Sequence, residues 1–146
     1  MKSAPLKLSG SCHCGNIAVS FLTSIPLAKL KLRSDSCSFC TKHRTRNTTD
    51  PRGHLTITIR RGRDLRRYRF GLRTADFLIC KQCGVYVAGI INFKGGSYAT
   101  LNTNMLDARE RLTQESVLVE YIGETAAARR TRRTANWTPT TLKIIN

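Results

Sequence analysis

No run of apolar residues in this chain is long enough to span a bilayer. The stretch from Met1 to Leu8 lacks the apolar core of a signal peptide. These two absences leave no expected membrane partner and make the cytoplasm the expected compartment. Acidic residues are scarce as well: 9 Asp and Glu stand against 25 Lys and Arg, a net charge of +16. A charge-balanced surface is thereby excluded. The excess is concentrated, with fourteen Lys or Arg and three Asp between residues 29 and 73. A second basic run, Arg129-Arg130-Thr131-Arg132-Arg133, lies near the C-terminus. Fields of this sign attract phosphates, nucleic acid or acidic small molecules, and they also occur as plain solvated surface. No composition break divides the 146 residues, a length that suits one domain. The expected organisation is a single domain over 1–137 and a C-terminal tail over 138–146.

Also absent is any cysteine without a close neighbour. All 6 fall into three pairs: Cys12-His13-Cys14-Gly15, Cys37-Ser38-Phe39-Cys40 and Cys80-Lys81-Gln82-Cys83-Gly84. In the cytosol such pairs hold metal or do redox work more often than they form structural disulfides. Cys12 and Cys14 direct two sulfurs at one spot from one turn, and Gly15 lets the backbone bend around a cation. Two pairs can close one tetrahedral zinc site, and three pairs offer three ways of choosing two. Four thiolates make a structural site, whereas fewer protein ligands leave a position for water or substrate. Spacing alone leaves that choice open. Cys12/Cys14 and Cys80/Cys83 are each followed by a glycine and an apolar strand, so they look like matched halves of one clip. Cys37/Cys40 sits in a polar, basic setting with Asp35 beside it.

Hydrophobic patterning predicts a mainly β protein with each pair at a strand end or turn. Strands are expected over 6–9, 17–21, 27–33, 55–59, 65–70, 77–79, 85–92 and 98–101. Over 27–33, Leu30 and Leu32 alternate with Lys29, Lys31 and Arg33, which predicts a half-buried strand leading into the second pair. Asp50-Pro51-Arg52-Gly53 signals a turn, and Lys94-Gly95-Gly96-Ser97 a hairpin. Two short helices are expected near the C-terminus. One runs from 104 or 107 to 112 with Asp107 able to cap it. The other runs over 124–135, where Ala126-Ala127-Ala128 favours helix. The stretch after Trp137 contains Pro139 and shows no clear period.

Gly10-Ser11-Cys12-His13-Cys14-Gly15, Cys37-Ser38-Phe39-Cys40 and Phe77-Leu78-Ile79-Cys80-Lys81-Gln82-Cys83-Gly84-Val85 closely resemble the motifs of one family. It is the glutathione-dependent formaldehyde-activating enzyme family, which also contains centromere protein V. The resemblance implies a mostly β, Mss4-like zinc-binding fold. It implies a structural zinc on Cys12, Cys14, Cys80 and Cys83. It also implies a second, catalytic zinc held by a Cys-x-Cys-x-x-Cys motif, of which Cys37 and Cys40 match two positions. The first position falls on Asp35, a harder oxygen ligand than thiolate. The implied reaction is of carbon–sulfur lyase type, in which glutathione as co-substrate adds to formaldehyde to give S-hydroxymethylglutathione. A zinc ion there would lower the pKa of the thiol and hold the thiolate.

Three functions compete. The first is a zinc-dependent carbon–sulfur lyase with Cys37, Cys40 and Asp35 as catalytic residues, and with Lys42, Arg44 or Arg46 at a basic mouth that recruits the anionic thiol. The second is a zinc-stabilised basic module that binds nucleic acid or another anionic partner without catalysis. The third is a zinc fold whose Asp35 site has decayed. Other residues are expected in ordinary roles. His13 and His43 read as loop residues, His54 as a strand residue, and Phe39 and Tyr98 as core or cavity wall. Asn102 and Asn104 read as caps for the following helix, and the Arg129–Arg133 run as a solvated helix face. Asp35, where it is not a ligand, reads as a turn carboxylate beside Arg33.

Overall fold

The computed structural model describes residues 4–146, and its elements follow the sequence pattern from strand to strand. They are β1 (Leu6–Ser11), β2 (Ile17–Thr23), β3 (Leu32–Asp35), α1 (Ser38–His43), β4 (Asn47–Thr48), β5 (His54–Ile59), β6 (Leu65–Tyr68) and β7 (Asp76–Cys80). After these come β8 (Tyr86–Phe93), β9 (Gly96–Asn102), β10 (Ser116–Val119), α2 (Ala126–Asn136) and β11 (Thr138–Ile144). The protein is mainly β, as expected. The signal-peptide reading of Met1 to Leu8 lies partly outside the described residues.

β1, β2 and β5 form an antiparallel ladder, with Leu8 opposite Phe21 and Ile17 opposite Ile59. β6 to β9 form an antiparallel meander. β11 joins the two, running parallel to β5 and antiparallel to the start of β9. The end of β9 pairs with β4, which continues through β3 to a parallel β10.

Strict alternation buries Ile17, Val19 and Phe21 of β2 and Leu55, Ile57 and Ile59 of β5. They share one apolar cluster with Leu78, Ala88, Ile90 and Leu101 from the meander. Phe77, Tyr86 and Ile91 turn the other way, into a second cluster with Ala75 and Trp137. β7 and β8 are therefore covered on both faces. That is why 85–92 reads as a continuous apolar run without alternation.

Several expectations change. The run 27–33 is a strand only from Leu32. Pro26 fixes φ at −56° and starts a 3-10 turn over Leu27–Lys29 instead. The expected helix over 104–112 is two 3-10 turns, Thr103–Met105 and Arg109–Arg111, and Asp107 caps neither. Contacts with β1 compete with the helix there: Asp107 N–H donates to the Ser9 carbonyl at 2.9 Å, and Gly10 bridges to Leu106. The stretch after Trp137 forms β11. α1 and β10 carry no apolar period in the sequence, α1 because it is only six residues long.

Candidate functional site

Cys12 and Cys80 leave β1 and β7 through the same kind of turn. Cys12 N–H donates to the Ile17 carbonyl at 2.9 Å, and Cys80 N–H donates to the Val85 carbonyl at 3.1 Å. Gly15 and Gly84 close the two turns at φ of +84° and +79°, where a side chain would be strained. The four sulfurs of Cys12, Cys14, Cys80 and Cys83 come within 4.8 Å of one another. Cys12 and Cys14 Sγ are 3.8 Å apart, and Cys14 and Cys80 Sγ are 3.5 Å apart. A tetrahedral ion bound at about 2.3 Å holds neighbouring sulfurs about 3.8 Å apart, so this group can hold a metal ion. Among the described residues it is the one Cys, His, Asp or Glu group that converges in this way.

The electrostatics of the four thiols are uneven. Burial pushes Cys80 up to about 12 and raises Cys12 as well. Burial also acts on Cys83, but the backbone N–H groups of Cys14 and Val85, together with the Cys80 and Cys12 thiols, outweigh it and bring that thiol down to about 6. Ile17 N–H donates to Cys12 Sγ at 3.2 Å, a bond that favours the thiolate. Metal entry must displace the remaining protons, so loading depends on pH.

The second group is built on the β3–α1 connection. Cys40 Sγ–H points to Asp35 Oδ2 at 3.7 Å. Cys37 Sγ accepts from Cys40 N–H at 3.4 Å and so caps α1. Asp35, Cys37 and Cys40 adjoin, but Cys37 Sγ is turned to the helix end and the three do not converge as the first four do. Two thiols and a carboxylate are nonetheless a donor set that suits zinc with a position left open. Burial pushes the Cys40 thiol up, and the Asp35 charge adds to this. Burial also raises Asp35, against the opposing charge of Arg132.

These three residues line a cavity of about 550 Å³. None of the four clip cysteines lines it. Cys12 and Cys80 belong to the first apolar cluster, whereas Phe77 and Trp137 of the cavity wall belong to the second. Clip and cavity therefore lie on opposite faces of the β7–β8 pair.

The rest of the cavity wall corrects the reading of the second basic run. Arg129, Arg132 and Arg133 line the cavity with Arg33, while Arg130 and Thr131 are exposed. The i, i+3, i+4 spacing puts the three on one face of α2. Glu124 Oε1 and Oε2 lie 2.9 Å from Arg129 Nε and 2.8 Å from Arg132 Nε. Chiefly through Arg132, the Glu124 carboxyl is brought down to about 2. Arg133 is only 9% exposed. It donates to Thr74 Oγ1 at 2.8 Å, and its guanidinium lies 4.7 Å from the Trp137 ring centroid. Burial, with Arg129 and Arg132 nearby, lowers Arg133 to about 10.

Other expectations resolve locally. Arg33 donates to Thr49 at 2.9 Å and forms no pair with Asp35. Lys42, Arg44 and Arg46 do not line the cavity. Arg46 instead ties three turns together, donating to Asn104 Oδ1 at 2.9 Å and to the carbonyls of Leu112 and Arg109 at 2.8 and 3.2 Å. His13 is exposed, His43 packs against Phe39, and His54 bonds Thr141. Asn102 caps the turn that follows it. Tyr86 carries no distinguishing signal within the apolar run 85–92. Its buried hydroxyl has no partner, and burial, with Cys40 and Asp35 nearby, raises it.

Fold and site together define a mainly β domain with a four-cysteine group able to hold a metal ion. No protein-family model matches the chain, and no curated protein matches it. A crystal structure of a Rhodobacter sphaeroides protein, a structural-genomics target, is similar over 76% of this chain and 99% of that one, at 25% identity and a TM-score of 0.58. Among the described residues no helix is long and apolar enough to cross a membrane.

Proposed function

We propose that the chain is a zinc-dependent carbon–sulfur lyase-type enzyme that joins or separates a thiol such as glutathione and an aldehyde such as formaldehyde. The observation that carries this reading is the cavity that sets Cys37, Cys40 and Asp35 against a face of arginines. On this reading the Cys12/Cys14/Cys80/Cys83 clip holds a structural zinc in an Mss4-like fold, and the protein works in the cytoplasm. Cys37, Cys40 and Asp35 would hold a second zinc, which when bound supplies Lewis acidity that favours a thiolate at neutral pH.

The chain's own groups do the rest. Before metal binds, Asp35 Oδ2 accepts from Cys40 Sγ–H and is the base nearest the proton that zinc would displace. Phe77 and Trp137 keep bulk water off one wall, which strengthens each charge inside. About two zinc ions per chain are expected by elemental analysis, and about one in Asp35→Ala. Asp35→Cys is expected to hold the second ion more tightly. An Asp35→Ala protein that keeps both its zinc and its turnover of glutathione with formaldehyde would sink this assignment.

A second reading rests on a different surface. Arg66, Arg67 and Arg69 are exposed and flank Tyr68 in the sequence, itself 41% exposed, with Arg67 and Arg69 sharing Asp76 as partner. Basic side chains interleaved with an aromatic suit a nucleic-acid strand. A mobility shift that falls steeply with salt, but resists bulk competitor DNA, would favour this reading.

A further inference from the structure

A buried guanidinium ordinarily faces a carboxylate, because leaving the charge uncompensated in a desolvated site is costly. Arg133 is more than nine-tenths buried. Among the described residues no carboxylate lies within salt-bridge reach of it. Its Nε is buried with no hydrogen-bond partner. Thr74 holds one terminal nitrogen at 2.8 Å, and the Trp137 ring lies 4.7 Å from the guanidinium carbon. The side chain is thus fixed in place, and it lines the cavity.

Arg132 is fixed as well. It donates to Glu124 through Nε at 2.8 Å and through a terminal nitrogen at 3.1 Å, and its guanidinium lies 3.5 Å from the Tyr121 ring centroid. Glu124 is shared with Arg129, so the three arginines of this face keep a surplus of positive charge. Two rigid guanidinium groups with spare N–H donors match the planar fork of an oxyanion.

We propose that Arg133 and Arg132 form an anion subsite, which takes a carboxylate or phosphate group of the small molecule bound in this cavity. The inference rests on the cavity being the substrate site, and it adds what the substrate carries: an anionic group apart from its reacting sulfur. Arg133 supplies the charge, Thr74 sets its angle, and Trp137 stacks beside it. A neutral thiol would leave Arg133 unpaired and bind less well.

Trp137 is the only tryptophan of the chain, so its fluorescence reads the subsite directly. The zinc-loaded full chain is titrated with glutarate, with inorganic phosphate and with the neutral glutaramide. A saturable change is expected with at least one anion, with glutarate alone placing a carboxylate in the subsite and phosphate alone a phosphoryl group. Glutaramide is expected to give none. Arg133→Gln is expected to weaken anion binding at least about tenfold. Arg133→Lys should restore only part of it, since an ammonium lacks the fork. Thr74→Ala serves as a second variant that keeps the charge, and it should weaken binding several-fold while circular dichroism shows the fold intact. No saturable response to either anion, or equal affinity in wild type and Arg133→Gln, overturns the proposal. Anion binding with this dependence in a protein that does not turn over glutathione with formaldehyde leaves the subsite standing and removes the lyase reading.

Discussion

Cys80 shows how much one side chain carries. It is fully buried, belongs to the main apolar cluster and lies 3.5 Å from Cys14 Sγ. Cys80→Ser is expected to lose the clip metal, read as a drop of about one ion per chain. The thermal midpoint should fall by about 10 °C, which corresponds to about 3 kcal/mol in a chain of this length. Glu124 is a second such residue, because it fixes the arginine face. Its folded value of about 2 lies below the ordinary 4.5. The stabilisation is therefore complete above the unfolded value and lost as pH falls toward the folded one. Urea unfolding should show wild type more stable than Glu124→Gln at neutral pH, with the difference gone near pH 2. The clip cysteines were legible in the sequence because each pair is presented by its own tight turn. The cavity arginines were not. Their spacing showed one helix face, but which face a basic helix buries is decided by Trp137 and Thr74, which lie outside it.

At the scale of elements, alternation identified β2 and β5 within two residues at either end, because each buries one face only. β8 was legible as a central strand from its unbroken apolar run. The misjudged stretches are those where backbone contacts decide. Thr103 to Leu112 is held as 3-10 turns by bonds to β1, and Leu27 to Lys29 by Pro26. Gly10 is the point of closest approach between β1 and those turns. A Cβ there would lie 2.1 Å from the Met105 carbonyl oxygen and 2.8 Å from Leu106 Cα. Both are backbone atoms, which cannot swing aside. Gly10→Ala is expected to cost about 1–3 kcal/mol. Because Cys12 follows two residues later, the variant should also release the clip metal faster to a chelator, followed with a colorimetric indicator.

For the whole molecule, the decisive joint is β11. It pairs with β5 from Thr140 to Ile144 and with β9 at Thr138 and Pro139. Deleting residues 138–146 would uncover edges of both ladders, and unpaired edges recruit other chains. The shortened protein is expected to aggregate, measurable by light scattering at a temperature where the full chain stays clear. The four-cysteine clip and the cavity sit on opposite faces of the β7–β8 pair. Metal loss should therefore disturb the second apolar cluster less than the first.

The order in which these parts are made has a consequence for biosynthesis. β11 leaves the ribosome after every strand it joins, whereas both halves of the clip have emerged once Cys83 is free. Cys14 and Cys80 are separated by 66 residues, and closing so long a loop unaided is entropically costly. A cation that binds during translation ties that loop before the sheet can be completed. On the reading proposed above, in which the clip holds zinc, zinc supply at the moment of synthesis would set the yield of folded protein. Cells starved of zinc should accumulate little new protein while keeping what they had already folded, a difference that pulse labelling would resolve.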